Sequence, residues 1–440
     1  MFDVGKILTM TSPKPRKTNR ACVIGLDGVP HGMVVELARR GIMSTMARLM
    51  DLGHLHKMTA SLPEISAVSW TNFMTGTNSG THGIFGFTDF KPHSYDIRFP
   101  NALDLKAPTL WDKLGAKGKR SIVINQPSTY PARKIEGVLI SGFVALELAK
   151  AVWPMSYRAA LEQMGYQIDI DTTNVRESPE VLWHELTKTM AGRQKALNLL
   201  WEEDWNYFEF VVTGTDRLHH FLWNAYEDPG HPSHQTFLDY YRHIDRLIGK
   251  ILAAYRKLTN TYDGFYILSD HGFTGVVQEV YLNVWLERNG YLKFSKPEPT
   301  GLGEITARTK AFALDPNRIY LNLRGKFPKG TVERSSKKAL KREIAGKLEK
   351  LEYRGRRVVH KVFFAEDVYS GPLVGKGPDL IVVGEPGFDM KGSVKKKEIF
   401  GRSGLQGMHT WDDAFFWASD DLGEDLSIED VAPFILKNFS

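Results

Sequence analysis

Four short apolar runs, continuous rather than alternating, do most to limit what this chain can fold into. They cover residues 21–26, 121–125, 207–213 and 265–269, and each is rich in Val, Ile, Phe or Tyr. A strand that is apolar on both faces has to be covered on both faces, which is the environment of a parallel sheet between layers of helix. The intervening segments fit that demand. Helical spacing runs over residues 31–40, 45–52, 109–116, 182–203 and 235–257, with Gly41 and Gly53 as stops for the first two. Residues 138–140 read as a further short strand. Strands alternating with helices predict an α/β fold, a doubly wound and mainly parallel sheet.

Beyond residue 280 the pattern changes. Residues 317–323 alternate as a strand, 335–351 read as a basic helix, 358–364 as a strand and 380–383 as a buried strand. The stretch of about 300–375 is therefore expected to form a small inserted cap subdomain within a domain spanning 21–440. Residues 1–20 carry Lys6, Lys14, Arg16, Lys17 and Arg20 without an apolar core, and read as a disordered leader rather than a secretory signal. Cys22 is the only cysteine, which excludes an intrachain disulfide, a Cys-ligated zinc and an iron–sulfur cluster. No run approaches the ~18 apolar residues of a membrane span, so a cytoplasmic protein is expected. The net charge of +6 comes mostly from basic residues interleaved with acids. The exceptions are 334–357 and 391–397; the first reads as a solvated helix face rather than a phosphate-tracking stripe, and no specific nucleic-acid partner is expected. A mild positive field suits an anionic substrate.

Chemistry concentrates after the buried strands. Asp27, Asp216 and Asp270 follow three of them, and ligands in open parallel sheets bind beyond the carboxyl ends of strands. His220 lies four residues after Asp216, His271 directly follows Asp270, and His409 sits near the C-terminus. Singly, each has a structural explanation as a turn residue, a cap or a buried histidine. Together, carboxylates and imidazoles form a mixed oxygen and nitrogen set suited to Zn²⁺ or Mn²⁺, and six such groups suffice for two ions. Ser66 opens a helical run after Pro63, where a hydroxyl sits beside free N–H groups at the positive end of the dipole; an N-cap would look the same.

In this order, the 23–28 strand end, the Ser66 segment with Thr75-Gly76 and Gly80-Thr81-His82-Gly83, Asp216 with His220, Ser269-Asp270-His271-Gly272 and His409 resemble the alkaline phosphatase superfamily. The resemblance is to its type I phosphodiesterase/nucleotide pyrophosphatase branch and the related predicted phosphohydrolases and phosphomutases, and runs from Ala21 to His409. It implies an alkaline phosphatase-like catalytic domain holding two divalent ions, Zn²⁺ with Mn²⁺ as the alternative. Asp27, Asp270 and His271 would hold one, and Asp216, His220 and His409 the other. Ser66 would be the nucleophile at the first ion and would form a phosphoseryl intermediate. The substrate would be a phosphorylated small molecule, nucleotide-like or another diester. The sequence departs from nucleotide pyrophosphatases at Ser69, where they carry an Asn that holds a phosphate oxygen. His219 is the alternative to His220, whose spacing from Asp216 matches the family.

Competing expectations are a phosphomonoesterase or phosphomutase, and a non-catalytic binding module on the same fold. Arg217, Arg318 and Lys376 are candidate anion contacts. Trp70, Phe73, Phe85, Phe87 and Trp223 are candidates either for stacking on a substrate or for the core.

Overall fold

The computed structural model describes residues 19–440 apart from 174, 176 and 177, so the expected leader lies almost wholly outside the described residues. Its central sheet has nine strands. Five adjacent ones are parallel, in the order Phe265–Leu268, Ala21–Leu26, Tyr207–Val212, Ser121–Gln126 and Gly137–Ser141. The continuous apolar runs are buried over their whole length, as a two-sided sheet requires. Ala414–Ala418 pairs antiparallel beside Phe265–Leu268, and His54–Thr59 pairs antiparallel beyond it.

Successive residues of Ala21–Leu26 divide between two cores. Cys22, Ile24 and Leu26 point into one with helices His31–Arg39, Pro179–Trp201 and His234–Thr259. Ala21 and Val23 point into the other, with helices Ser66–Thr75 and Ile428–Leu436. Gly25 falls on this second face because a Cβ there would lie 2.5 Å from Cη2 of Trp70. The missing side chain lets the Ser66–Thr75 helix settle directly on the strand.

Register aligns the strand ends. Leu26 pairs with Val212 and Gly25 with Leu268, so the chain leaves three neighbouring strands at one level. Asp27 and Asp270 emerge there directly, whereas Asp216 sits in the first turn of the helix Gly214–Glu227 rather than at the strand end itself.

A second core gathers around Leu286, Phe312, Leu321, Ile344, Val359 and Val382. It backs a four-stranded antiparallel sheet in the order Ala311–Leu314, Arg318–Leu321, Leu380–Gly384 and Val359–Phe364. Leu380–Gly384 thus serves this smaller sheet, although its apolar run looks like those of the central one. The basic helix begins at Lys337 and ends at Leu348, shorter than its sequence pattern, and buries Leu340, Ile344 and Leu348. No described helix is long and apolar enough to cross a membrane.

Gly25→Val should displace the Trp70 ring, which has no exposed surface to retreat to. A loss of about 1–3 kcal/mol is expected from overpacking of this kind, measured by urea unfolding. An unchanged midpoint would show that the helix can give way.

Candidate metal centre

Two clusters of potential ligands form where the strand ends align. Asp27, Asp270 and His271 offer donor atoms that all lie within 4.8 Å of one another, and Asp216, His220 and His409 do the same. The rings of His271 and His409 stack with centroids 3.7 Å apart, so the clusters abut. Ser66 stands at the first cluster, its Oγ 3.2 Å from Asp27 Oδ1 and 3.2 Å from His271 Nε2. All seven residues singled out in the sequence therefore meet in space.

The imidazoles are oriented from behind. Nδ1 of His271 lies 3.0 Å from the Gly272 carbonyl, that of His220 3.0 Å from Gly407 and that of His409 2.8 Å from Glu64. A carbonyl oxygen can only accept, so each Nδ1 donates and each neutral ring turns an Nε2 lone pair into the site. The Nε2 atoms of His220 and His409 then face each other at 3.0 Å, with Asp216 Oδ1 at 3.4 and 3.1 Å. Two lone pairs and a carboxylate at this range call for a cation among them. In the other cluster Asp270 accepts from the Gly28 N–H through Oδ1 at 3.0 Å, while its buried Oδ2 has no hydrogen-bond partner among the described residues. A buried carboxylate oxygen left unpaired is costly unless an ion takes it up. On these grounds the residues fit a pair of divalent ions.

Electrostatics agree with that fit. Burial, with Asp270 and Asp216 facing it, raises the Asp27 carboxyl well above its usual range. Burial likewise pushes Asp270 up to about 8, Asp216 adding to the effect. Burial lowers His271 to about 4 and also lowers His220 and His409, which keeps all three neutral and able to ligate.

The neighbouring candidates divide. His219 is spent, its Nδ1 on the Gly28 carbonyl at 2.8 Å and its Nε2 on the Tyr241 hydroxyl at 2.7 Å. Ser66 is the first helical residue, not the cap; Ile65 occupies the cap position. Ser69 is 2.7 Å from the Ser61 hydroxyl and accepts from the Ser61 N–H. Arg217 is held by Asp169 at 2.6 Å and Asp216 at 3.4 Å. Arg318 is buried against Thr88 and the Asp315 carbonyl. Trp70, Phe73, Phe85 and Trp223 are core residues. Trp70 does more than fill space, since its Nε1 donates to Asp27 Oδ2 at 3.2 Å. Glu64 also has a role that sequence did not reveal: its backbone carbonyl orients His409, and its carboxylate accepts at 2.9 Å from Asn317, in the turn between the first two strands of the smaller sheet.

A family model for type I phosphodiesterase / nucleotide pyrophosphatase matches residues 21–412. The chain belongs to this family. Among solved structures, similar folds recur across nearly the whole length. Phosphonoacetate hydrolase from Sinorhizobium meliloti, in complex with phosphonoformate, shares 16% identity over 96% of both chains with a TM-score of 0.63. Alkaline phosphatase PafA shares 11% over 97% of this chain and 96% of its own, at 0.58. Murine ectonucleotide pyrophosphatase/phosphodiesterase 5, inactive and in complex with AMP, shares 11% over 95% and 94%, at 0.54. Such low identities speak for the fold, which is that of the alkaline phosphatase superfamily. No curated protein sequence matches the chain.

The raised Asp270 carboxyl has a consequence for stability. In the metal-free fold it keeps a proton up to about 8, whereas the unfolded chain releases it near 3.8. The folded state thus binds the extra proton between those values, and stability falls as pH rises through them. His271 acts in the opposite sense only between about 4 and 6.5. From pH 6.5 to 8 the metal-free protein should therefore lose stability more steeply than Asp270→Asn in urea titrations. Parallel profiles would contradict this.

Proposed function

We propose that this family member is a two-metal phosphohydrolase that cleaves phosphodiester or pyrophosphate-type bonds through a phosphoseryl intermediate. The observation that carries the reading is the place of the Ser66 hydroxyl, at a helix start and within 3.2 Å of both Asp27 and His271. Zn²⁺, with Mn²⁺ as the alternative, held by Asp27, Asp270 and His271 and by Asp216, His220 and His409, would lower the pKa of the hydroxyl and offset charge on the reacting oxygens. Ser66 Oγ attacks phosphorus, the bond to the leaving oxygen breaks, and water then hydrolyses the Ser66 phosphoester. Among the described residues the N–H groups of Ser66 and Ala67 have no acceptor, and at the helix N-terminus they are suited to a non-bridging phosphate oxygen. They offer a substitute for the Asn that the family carries where Ser69 stands.

Charge favours a diester. A monoester dianion gains from an extra cation at the site, but Arg217, the nearest one, is committed to Asp169 and Asp216. The first turn adds only Ala67, Val68, Ser69 and Trp70. AMP and phosphonoformate in the related structures support a small phosphorylated ligand. The stretch of about 300–375 is proposed as a cap over this site, supported by the Asn317 contact to Glu64 and by Tyr369, whose hydroxyl donates to the Leu62 carbonyl at 2.7 Å. A free buried Cys22 accords with a reducing, cytoplasmic setting.

With zinc or manganese supplied, kcat/KM for bis-p-nitrophenyl phosphate should exceed that for p-nitrophenyl phosphate. Ser66→Ala should lower turnover of both by orders of magnitude. A ratio well below one would make the protein a monoesterase or phosphomutase, and full activity in Ser66→Ala would remove the covalent route.

A further inference from the structure

Away from the metal centre, a cleft of about 960 Å³ opens between the hairpin of strands Asp89–Phe90 and Ile97–Arg98 and the smaller sheet. None of the seven residues of the metal centre lines it. Eight lysine and arginine side chains line it against two carboxylates, Asp89 and Asp104, an excess of positive charge as large as that of the whole chain. Both carboxylates are taken by a single cation, Arg98, at 3.3 and 2.7 Å. Arg324 pairs with Glu333 at 3.0 Å and Lys337 with Asp379 at 2.7 Å.

Lys91, Lys106, Arg334 and Lys376 line the same space with no carboxylate partner among the described residues. Lys326 joins them; among the described residues it donates to the Gly377 carbonyl at 2.9 Å and lies over the rings of Tyr320 and Phe327. Burial lowers its pKa, a cost that a bound anion would relieve. Arg334 and Lys337 also stand at the start of the Lys337–Leu348 helix, where the dipole disfavours cations and the first turn itself carries no acid. The basic tract that reads in sequence as a solvated face thus places its first turn in a concave site.

We infer that this cleft binds a soluble polyphosphorylated small molecule, one presenting three or more phosphoryl charges together. Its cations come from three separate parts of the chain and ring a hollow, rather than following a stripe as a nucleic-acid backbone demands. The volume suits a ligand of nucleotide size, and aromatic rings lie at its wall. The inference does not depend on the reaction proposed for the metal centre.

Binding of inorganic tripolyphosphate to the full-length protein, followed by calorimetry at constant salt, tests it. The triple variant Lys106→Gln, Arg334→Gln, Lys376→Gln should bind at least about tenfold more weakly. A charge-matched variant outside the cleft, Lys395→Gln, Lys396→Gln, Lys397→Gln, should bind like wild type. Binding should also persist in Asp216→Asn, which damages the metal centre. Equal weakening in both triple variants would reduce the effect to net charge and overturn the assignment. Loss in Asp216→Asn with retention in the cleft variant would place tripolyphosphate at the metal centre, overturning the assignment while leaving the phosphohydrolase reading intact. Inorganic phosphate binding as tightly as tripolyphosphate, or a single-stranded oligonucleotide displacing it at lower concentration, would also overturn it.

Discussion

Three carboxylates and three imidazoles withdrawn from water at one end of a sheet set the terms for the rest of this structure. Asp27 and Asp270 are destabilised as anions by burial and by facing carboxylates, Asp27 by Asp270 and Asp216 and Asp270 by Asp216. Such a set persists only if the surrounding fold over-determines it. Strand register brings the acids to one level, backbone carbonyls fix the three rings through Nδ1, and Trp70 and the Gly28 N–H each hold one carboxylate oxygen. Each of these restraints turns donor atoms inward, toward the space between the clusters.

The Ser66 hydroxyl depends on the same scaffold. Its helix is buried along all ten residues, pressed onto Gly25 on one side and against the C-terminal helix on another. A nucleophile carried by so confined an element has little freedom to leave Asp27 and His271. This is the geometric economy of placing chemistry at a helix start packed on a parallel strand.

Much of this was legible in the sequence, for identifiable reasons. Two-sided burial leaves continuous apolar runs, and acids or histidines just beyond such runs have to gather at the sheet's carboxyl edge. What escaped the reading had no such imprint. His54–Thr59 belongs to the central sheet yet alternates exposed and buried residues with two histidines and a lysine, which hides it among loops. Leu380–Gly384 has the composition of a central strand but pairs in the smaller sheet, a choice set by partners distant in sequence. The second contacts of Trp70 and Glu64 arise from packing and carry no spacing signal. The basic tract after residue 333 reads as solvent-facing because its concavity is made with residues more than two hundred positions earlier.

The claim on which the account rests is that each cluster holds its own ion. Elemental analysis of protein equilibrated with zinc or manganese and then desalted should give about two ions per chain. Asp27→Asn and Asp216→Asn, each damaging one cluster, should each give about one. Substoichiometric metal in the wild type, or two ions retained in both variants, would contradict it.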